Sequence, residues 1–87
     1  MYIAYCYNWD AGDDFMAVGE TGSEAINTLS KAYQKYYDMS YEDVVDEHGD
    51  DYESFEEYLS EYKEMYVYKL VPGEVSINHR IYKEIEV

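Results

Sequence analysis

From residue 2 the chain reads YIAYCYNW, and its side chains alternate in character. On an extended strand Ile3, Tyr5, Tyr7 and Trp9 share one face, with Tyr2, Ala4, Cys6 and Asn8 on the other. The small side chains of Ala4 and Cys6 would let a helix come close to that second face. Residues 10–13, DAGD, carry turn chemistry. Residues 14–20, DFMAVGE, then read as a second strand that completes a hairpin. After that the period changes. Thr21 and Glu24 form a capping-box pattern. Ile26, Leu29, Tyr33 and Tyr36 follow at steps of three and four, with Ala25, Ala32 and Tyr37 beside them, which predicts a helix over about 23–38. Ser40 and Asp43 signal the start of a short helix through Val44 and Val45, and Gly49 ends it. Ser54 and Glu57 repeat the capping pattern. Phe55, Tyr58, Leu59, Tyr62 and Tyr66 continue it at helical spacing, so a helix is expected over about 53–65.

The remaining positions return to a strand period. YVYKLV at 66–71 reads as a strand, Pro72-Gly73 as a turn, and 74–78 as a short return strand. Ile81, Lys83, Ile85 and Val87 alternate with Tyr82, Glu84 and Glu86, which fits a final strand. The order β-β-α-α-α-β-β implies an α+β fold, with two or three helices on one face of a mainly antiparallel sheet. No linker, repeat or low-complexity stretch divides the 87 residues, so a single small domain over 1–87 is expected.

Composition narrows the class. Aromatics make up 18% of the chain and thirteen residues are Tyr, too many for an acidic disordered tail. The net charge is −14, which disfavours direct contact with nucleic acid or with an anionic membrane and favours a basic partner. Cys6 is the one cysteine, so no disulfide can form within the chain. The sequence has no apolar run long enough for a membrane span, and no signal peptide with a basic start. The expectation is a soluble cytoplasmic protein.

Specific chemistry finds little support. Cys6 with His48 or His79 could pair a nucleophile with a base, but a cysteine in an apolar strand is ordinarily a small core residue. No enzyme is expected and no catalytic residue is assigned. An EF-hand register on Gly49 places Val44 at the first ligand position, and one on Gly12 places Tyr7 there, so both fail. Zinc spacing and a phosphate loop are absent from the sequence, and no metal or cofactor is expected.

What remains is the charge. Residues 46–57, DEHGDDYESFEE, are acidic at seven of twelve positions. From residue 38 to 64 there are twelve carboxylates and one cation, Lys63. On the predicted helix over 53–65, Glu53, Glu56, Glu57, Glu61 and Glu64 lie opposite Phe55, Leu59 and Tyr62. Their neighbours are spaced about 5–6 Å at Cβ, a scale comparable to phosphates along a nucleic-acid strand. Asp43, Asp46, Glu47, Asp50 and Asp51 extend this row from the preceding helix and loop. A solvated helix face is the plain alternative. Such faces usually interleave both signs, though, and unpaired like charges oppose folding by a few tenths of a kcal/mol each. Tyr41 and Tyr52 flank the acidic loop and are candidate interface anchors.

In size, acidity, tyrosine content and the charge layout of residues 38–64, the chain resembles the phage-encoded inhibitors of host defence. These include anti-CRISPR proteins, antirestriction proteins and uracil-DNA glycosylase inhibitors. The resemblance rests on no sequence motif. It implies a viral DNA mimic that occupies the basic groove of a CRISPR effector or restriction nuclease in the host cytoplasm. The competing expectation is an acidic interaction or regulatory module, including an allosteric inhibitor, whose contacts centre on tyrosines.

Overall fold

A computed structural model describes residues 1–71 in full and the backbone of residues 74–77 and 80–83. Strands β1 (Tyr2–Asn8) and β2 (Asp13–Gly19) form an antiparallel hairpin in which Tyr2 faces Gly19 and Asn8 faces Asp13. The Asn8 carbonyl closes its turn by accepting from the amides of Ala11 and Gly12 at 3.2 and 2.7 Å. Gly12 has φ +77°, a conformation that glycine adopts without steric cost. Three helices follow: α1 (Gly22–Tyr37), α2 (Tyr41–His48) and α3 (Phe55–Glu61), with a 3-10 turn at Gly49–Asp51 between the last two. Strand β3 (Tyr66–Lys69) then pairs antiparallel with β1 on its free side, giving the sheet order β2-β1-β3. Strands β4 (Glu74–Ile77) and β5 (Arg80–Lys83) pair with each other in a second, two-stranded sheet. This is the α+β order expected from the sequence. Among the described residues no helix is long and apolar enough to cross a membrane.

The helices cover one face of the larger sheet. Ala4, Cys6 and Ala17 form its buried floor, and Ala25, Leu29 and Tyr33 of α1 lie on it. Val44 of α2 and Phe55, Tyr58 and Leu59 of α3 complete the core. The floor is built from small residues, so α1 comes very close. A Cβ on Gly19 would lie 2.5 Å from the Ala25 amide nitrogen. The space above the floor is filled by rings: Phe15 packs on Tyr33 at 5.0 Å, and Tyr33 on Phe55 at 5.9 Å.

The helix starts sit where the capping residues place them. Thr21 Oγ1 accepts from the Glu24 amide and Ser54 Oγ from the Glu57 amide, both at 3.1 Å. Asp43 Oδ2 accepts from the Ser40 amide at 2.7 Å. Helix α1 ends with Asp38 in the left-handed region (φ 50°) and the Met39 amide donating to the Gln34 carbonyl at 2.8 Å. That pattern satisfies the last carbonyls of the helix.

The third helix departs from expectation. It ends at Glu61, where the spacing of Tyr62 and Tyr66 predicted continuation to about 65. The chain reverses instead: Glu64 takes φ 56°, the Met65 amide donates to the Leu59 carbonyl at 2.9 Å, and Met65 enters the core. Tyr66 consequently belongs to β3, and Tyr62, expected on the buried face, is 43% exposed. The strand expected at 66–71 is Tyr66–Lys69, and that at 74–78 is Glu74–Ile77. Of the final strand, Arg80–Lys83 is described, and the expectations for Pro72-Gly73 and 84–87 lie outside the described residues.

Two substitutions test this packing. Leu59→Ala should lower unfolding stability by about 2–5 kcal/mol, through lost burial and a residual cavity. Gly19→Ala should lower it by about 1–3 kcal/mol, because its new methyl meets helix backbone that cannot turn aside. Ala32→Ser, on the exposed side of α1, should stay within about 0.5 kcal/mol of the parent. Denaturant melts of the three variants check the order.

A candidate acidic interaction surface

Helix α2 divides cleanly into two faces. Val44 is buried and Tyr41, Val45 and His48 are half-buried, which is the three-and-four spacing of an inward stripe. The four remaining positions, Glu42, Asp43, Asp46 and Glu47, are exposed, so the entire outer face is carboxylate. Exposed Asp50 and Asp51 continue it through the 3-10 turn, and exposed Glu53 leads into α3. Within α3, Glu56 and Glu57 are half-buried and Glu61 is exposed, while Glu64 lies beyond the helix in its left-handed turn.

The structure thus brings the predicted carboxylates onto neighbouring segments, but not into one helical row. Glu53 precedes α3 and Glu64 follows it, because the helix is only seven residues long. Two carboxylates also serve the backbone. Asp43 accepts from the Ser40 amide, and Glu57 Oε2 accepts from the Glu53 amide at 2.9 Å. Glu42 completes the α2 face although it was not among the sequence candidates. The inward stripe 41, 44, 45, 48 was the signal that would have found it.

Lys63 does not neutralise this surface. It is 6% exposed, and its Nζ lies 3.0 Å from Asp10 Oδ2 and 3.4 Å from Asn8 Oδ1, both at the β1–β2 turn. The same ammonium sits 5.4 Å from the ring centres of Trp9 and of Tyr62. The cation that sequence places within the acidic stretch is therefore engaged 53 positions away. Among the described residues the one other ion pair is Glu47 with His48, at 3.9 Å, and it requires a protonated ring.

Tyr41 and Tyr52 are placed differently from free anchors. Both are half-buried, and the Tyr41 hydroxyl donates to the Tyr52 carbonyl, fastening α2 to the approach of α3. The Tyr52 ring packs edge-on to His48 and Tyr58, both at 5.6 Å. The exposed rings near the carboxylates are instead Trp9, at 61%, and Tyr62. No local pattern marks them, because both positions follow from the Lys63 contact.

The acidic field reaches the rings behind it. Tyr52 is pushed upward in pKa by desolvation first and then by Asp51, Glu61 and Glu57. Burial, with Glu47 as the next cause, pushes Tyr58 up to about 12. Tyr5, on the sheet, rises to about 12 because its hydroxyl donates to Asp14. Burial raises the Cys6 thiol to about 11, and that thiol points to the Lys63 carbonyl at 3.8 Å. Cys6 is therefore a protonated core group at neutral pH, not an activated nucleophile.

Comparison of the chain with protein-family models, with characterised proteins and with solved structures yields no match.

These raised values set an alkaline limit. Each group keeps its proton longer when folded than when unfolded, so the unfolded state releases protons first and stability falls as pH rises. Their contribution is intact below the ordinary values of 9.0 for Cys and 10.0 for Tyr, and is lost as pH climbs through 11 to 12. Circular dichroism along an alkaline titration should show unfolding in that window. Cys6 should resist alkylation at pH 8 until denaturant is added.

Proposed function

We propose that this protein is an inhibitor that docks its acidic surface into the basic nucleic-acid groove of a host defence nuclease, a CRISPR effector or a restriction enzyme. The compartment of action is the host cytoplasm. The observation that carries this reading is the outer face of α2, where every exposed position is a carboxylate and none has a Lys or Arg partner among the described residues. Like charges at helical spacing oppose folding, and a basic groove would relieve that cost. Carboxylates on α2, the 3-10 turn and α3 would stand in for phosphates, while offering a nuclease nothing to cleave. The surface consists of short segments at different angles, so it suits a curved channel better than a straight one.

A second reading has its own observation. Trp9 and Tyr62 lie exposed on either side of Lys63, close in sequence to Asp10, Glu61 and Glu64. Large rings of this kind dominate interface energies. A regulatory module anchored by them would need charge only for steering, and it could bind an enzyme away from its groove.

Displacement of labelled DNA from purified CRISPR effectors and restriction nucleases separates the two. Under the first reading the protein displaces DNA, and its affinity falls steeply with salt. Replacing Asp46, Glu47 and Asp50 by Lys should weaken displacement more than tenfold and flatten the salt slope. If that variant displaces DNA as well as the parent does, groove mimicry is wrong. If Trp9→Ala with Tyr62→Ala is the more damaging change, the second reading takes its place.

A further inference from the structure

The face of the β2-β1-β3 sheet turned away from the helices carries a different chemistry. By the strand register, Tyr5 stands between Met16 and Tyr66, and Ile3 between Val18 and Tyr68. Tyr7 and Asp14 face each other at the next pair. Met16 is 65% exposed, and Val18 and Tyr7 are each nearly half-exposed. An antiparallel sheet that leaves one face to water normally alternates apolar and polar positions. Here the outward positions are aliphatic or aromatic. The one charged side chain among them is Asp14, and its Oδ1 is already held by the Tyr5 hydroxyl at 2.8 Å.

We propose that this face is a self-association surface, on which two copies of the chain pack sheet to sheet about a two-fold axis. The argument is one of charge. The chain carries −14, and twelve of its carboxylates lie between residues 38 and 64, on the helix side. A basic partner is drawn to that side. It finds no free carboxylate among the outward positions of the sheet, because the lone Asp14 is occupied. An apolar surface without free charge is complemented by another of its kind, and the chain supplies one in each copy. Packing two such faces turns both acidic surfaces outward and keeps the like charges far apart. Tyrosine suits a reversible contact, since it buries a ring and leaves its hydroxyl wet. Three strands about 4.8 Å apart and seven residues long at about 3.3 Å each give a face of roughly 14 by 23 Å. That lies at the small end for specific interfaces, so the dimer forms and dissociates with concentration. The inference stands independently of what the acidic surface binds.

Sedimentation of the full chain, from low-micromolar to near-millimolar concentration, tests it. The average mass should rise from 10.3 kDa towards twice that value. Added salt should favour the dimer, because it screens repulsion between the copies. That response is opposite to the one expected of acidic docking. Met16→Glu with Val18→Glu, both at exposed positions, should hold the protein monomeric with an unchanged circular dichroism spectrum. A parent chain that stays monomeric throughout overturns the proposal. So does a dimer that survives the double variant, which would place the contact at a strand edge or elsewhere. Methyl contacts in NMR between Met16 and residues 72–87 of the same monomer would assign the face to the chain's own C-terminal segment, and would also overturn it.

Discussion

The buried ammonium of Lys63 is the contact on which the arrangement of the helical side depends. A lysine at 6% exposure is costly unless its charge is matched. Asp10 supplies the charge, Asn8 an acceptor, and the rings of Trp9 and Tyr62 a polarisable wall. Asp10 itself remains exposed, so the pair is not fully withdrawn from water, and solvent moderates both its desolvation cost and its strength. Its consequence is geometric. It fastens the end of α3 to the β1–β2 turn and sends Met65 inward, so that β3 enters beside β1. It also removes the single cation of the 38–64 stretch from the acidic surface.

Much of this fold is legible from short-range pattern. The alternation of Ala4, Cys6 and Asn8 against Ile3, Tyr5 and Tyr7 names both faces of β1 correctly. Thr21, Ser40 and Ser54 name three helix starts, because an N-cap satisfies donors within its own first turn and needs no distant partner. Where pattern fails, the deciding contact is distant in sequence. Tyr62 and Tyr66 continue the spacing of Phe55, Tyr58 and Leu59, so periodicity extends the helix. The chain reverses at Glu64 because Lys63 and Met65 must both turn inward. Glu64 adopts a left-handed conformation at a cost of about 1 kcal/mol, which the buried neighbours on either side offset.

The candidate site divides along the same line. That residues 38–64 hold an unbalanced negative charge can be counted from the sequence. Which carboxylates are free cannot be counted, because Asp43 and Glu57 also complete helix starts. Nor could the standing of the rings be read. Tyr41 and Tyr52 flank the acidic loop in sequence yet tie α2 to α3. Trp9 and Tyr62 are separated by most of the chain and still meet across Lys63.

The two surfaces of the molecule are consequences of one partition. A small domain has a limited set of apolar side chains with which to build a core. This one fills the space between sheet and helices with tyrosines on small-residue floors, so α1 can sit almost on the backbone of β2. The acidic residues are then confined to the outer faces of α2 and α3 and the turn between them. The repulsion among them is tolerated because each projects into water, where Coulomb energies are small. The same repulsion keeps copies of the protein from meeting helix side to helix side. It leaves the opposite sheet face as the place where two molecules can approach with least electrostatic cost. Charge placement thus decides what each side of the protein can meet, a cationic surface on the helical side and an apolar one on the sheet.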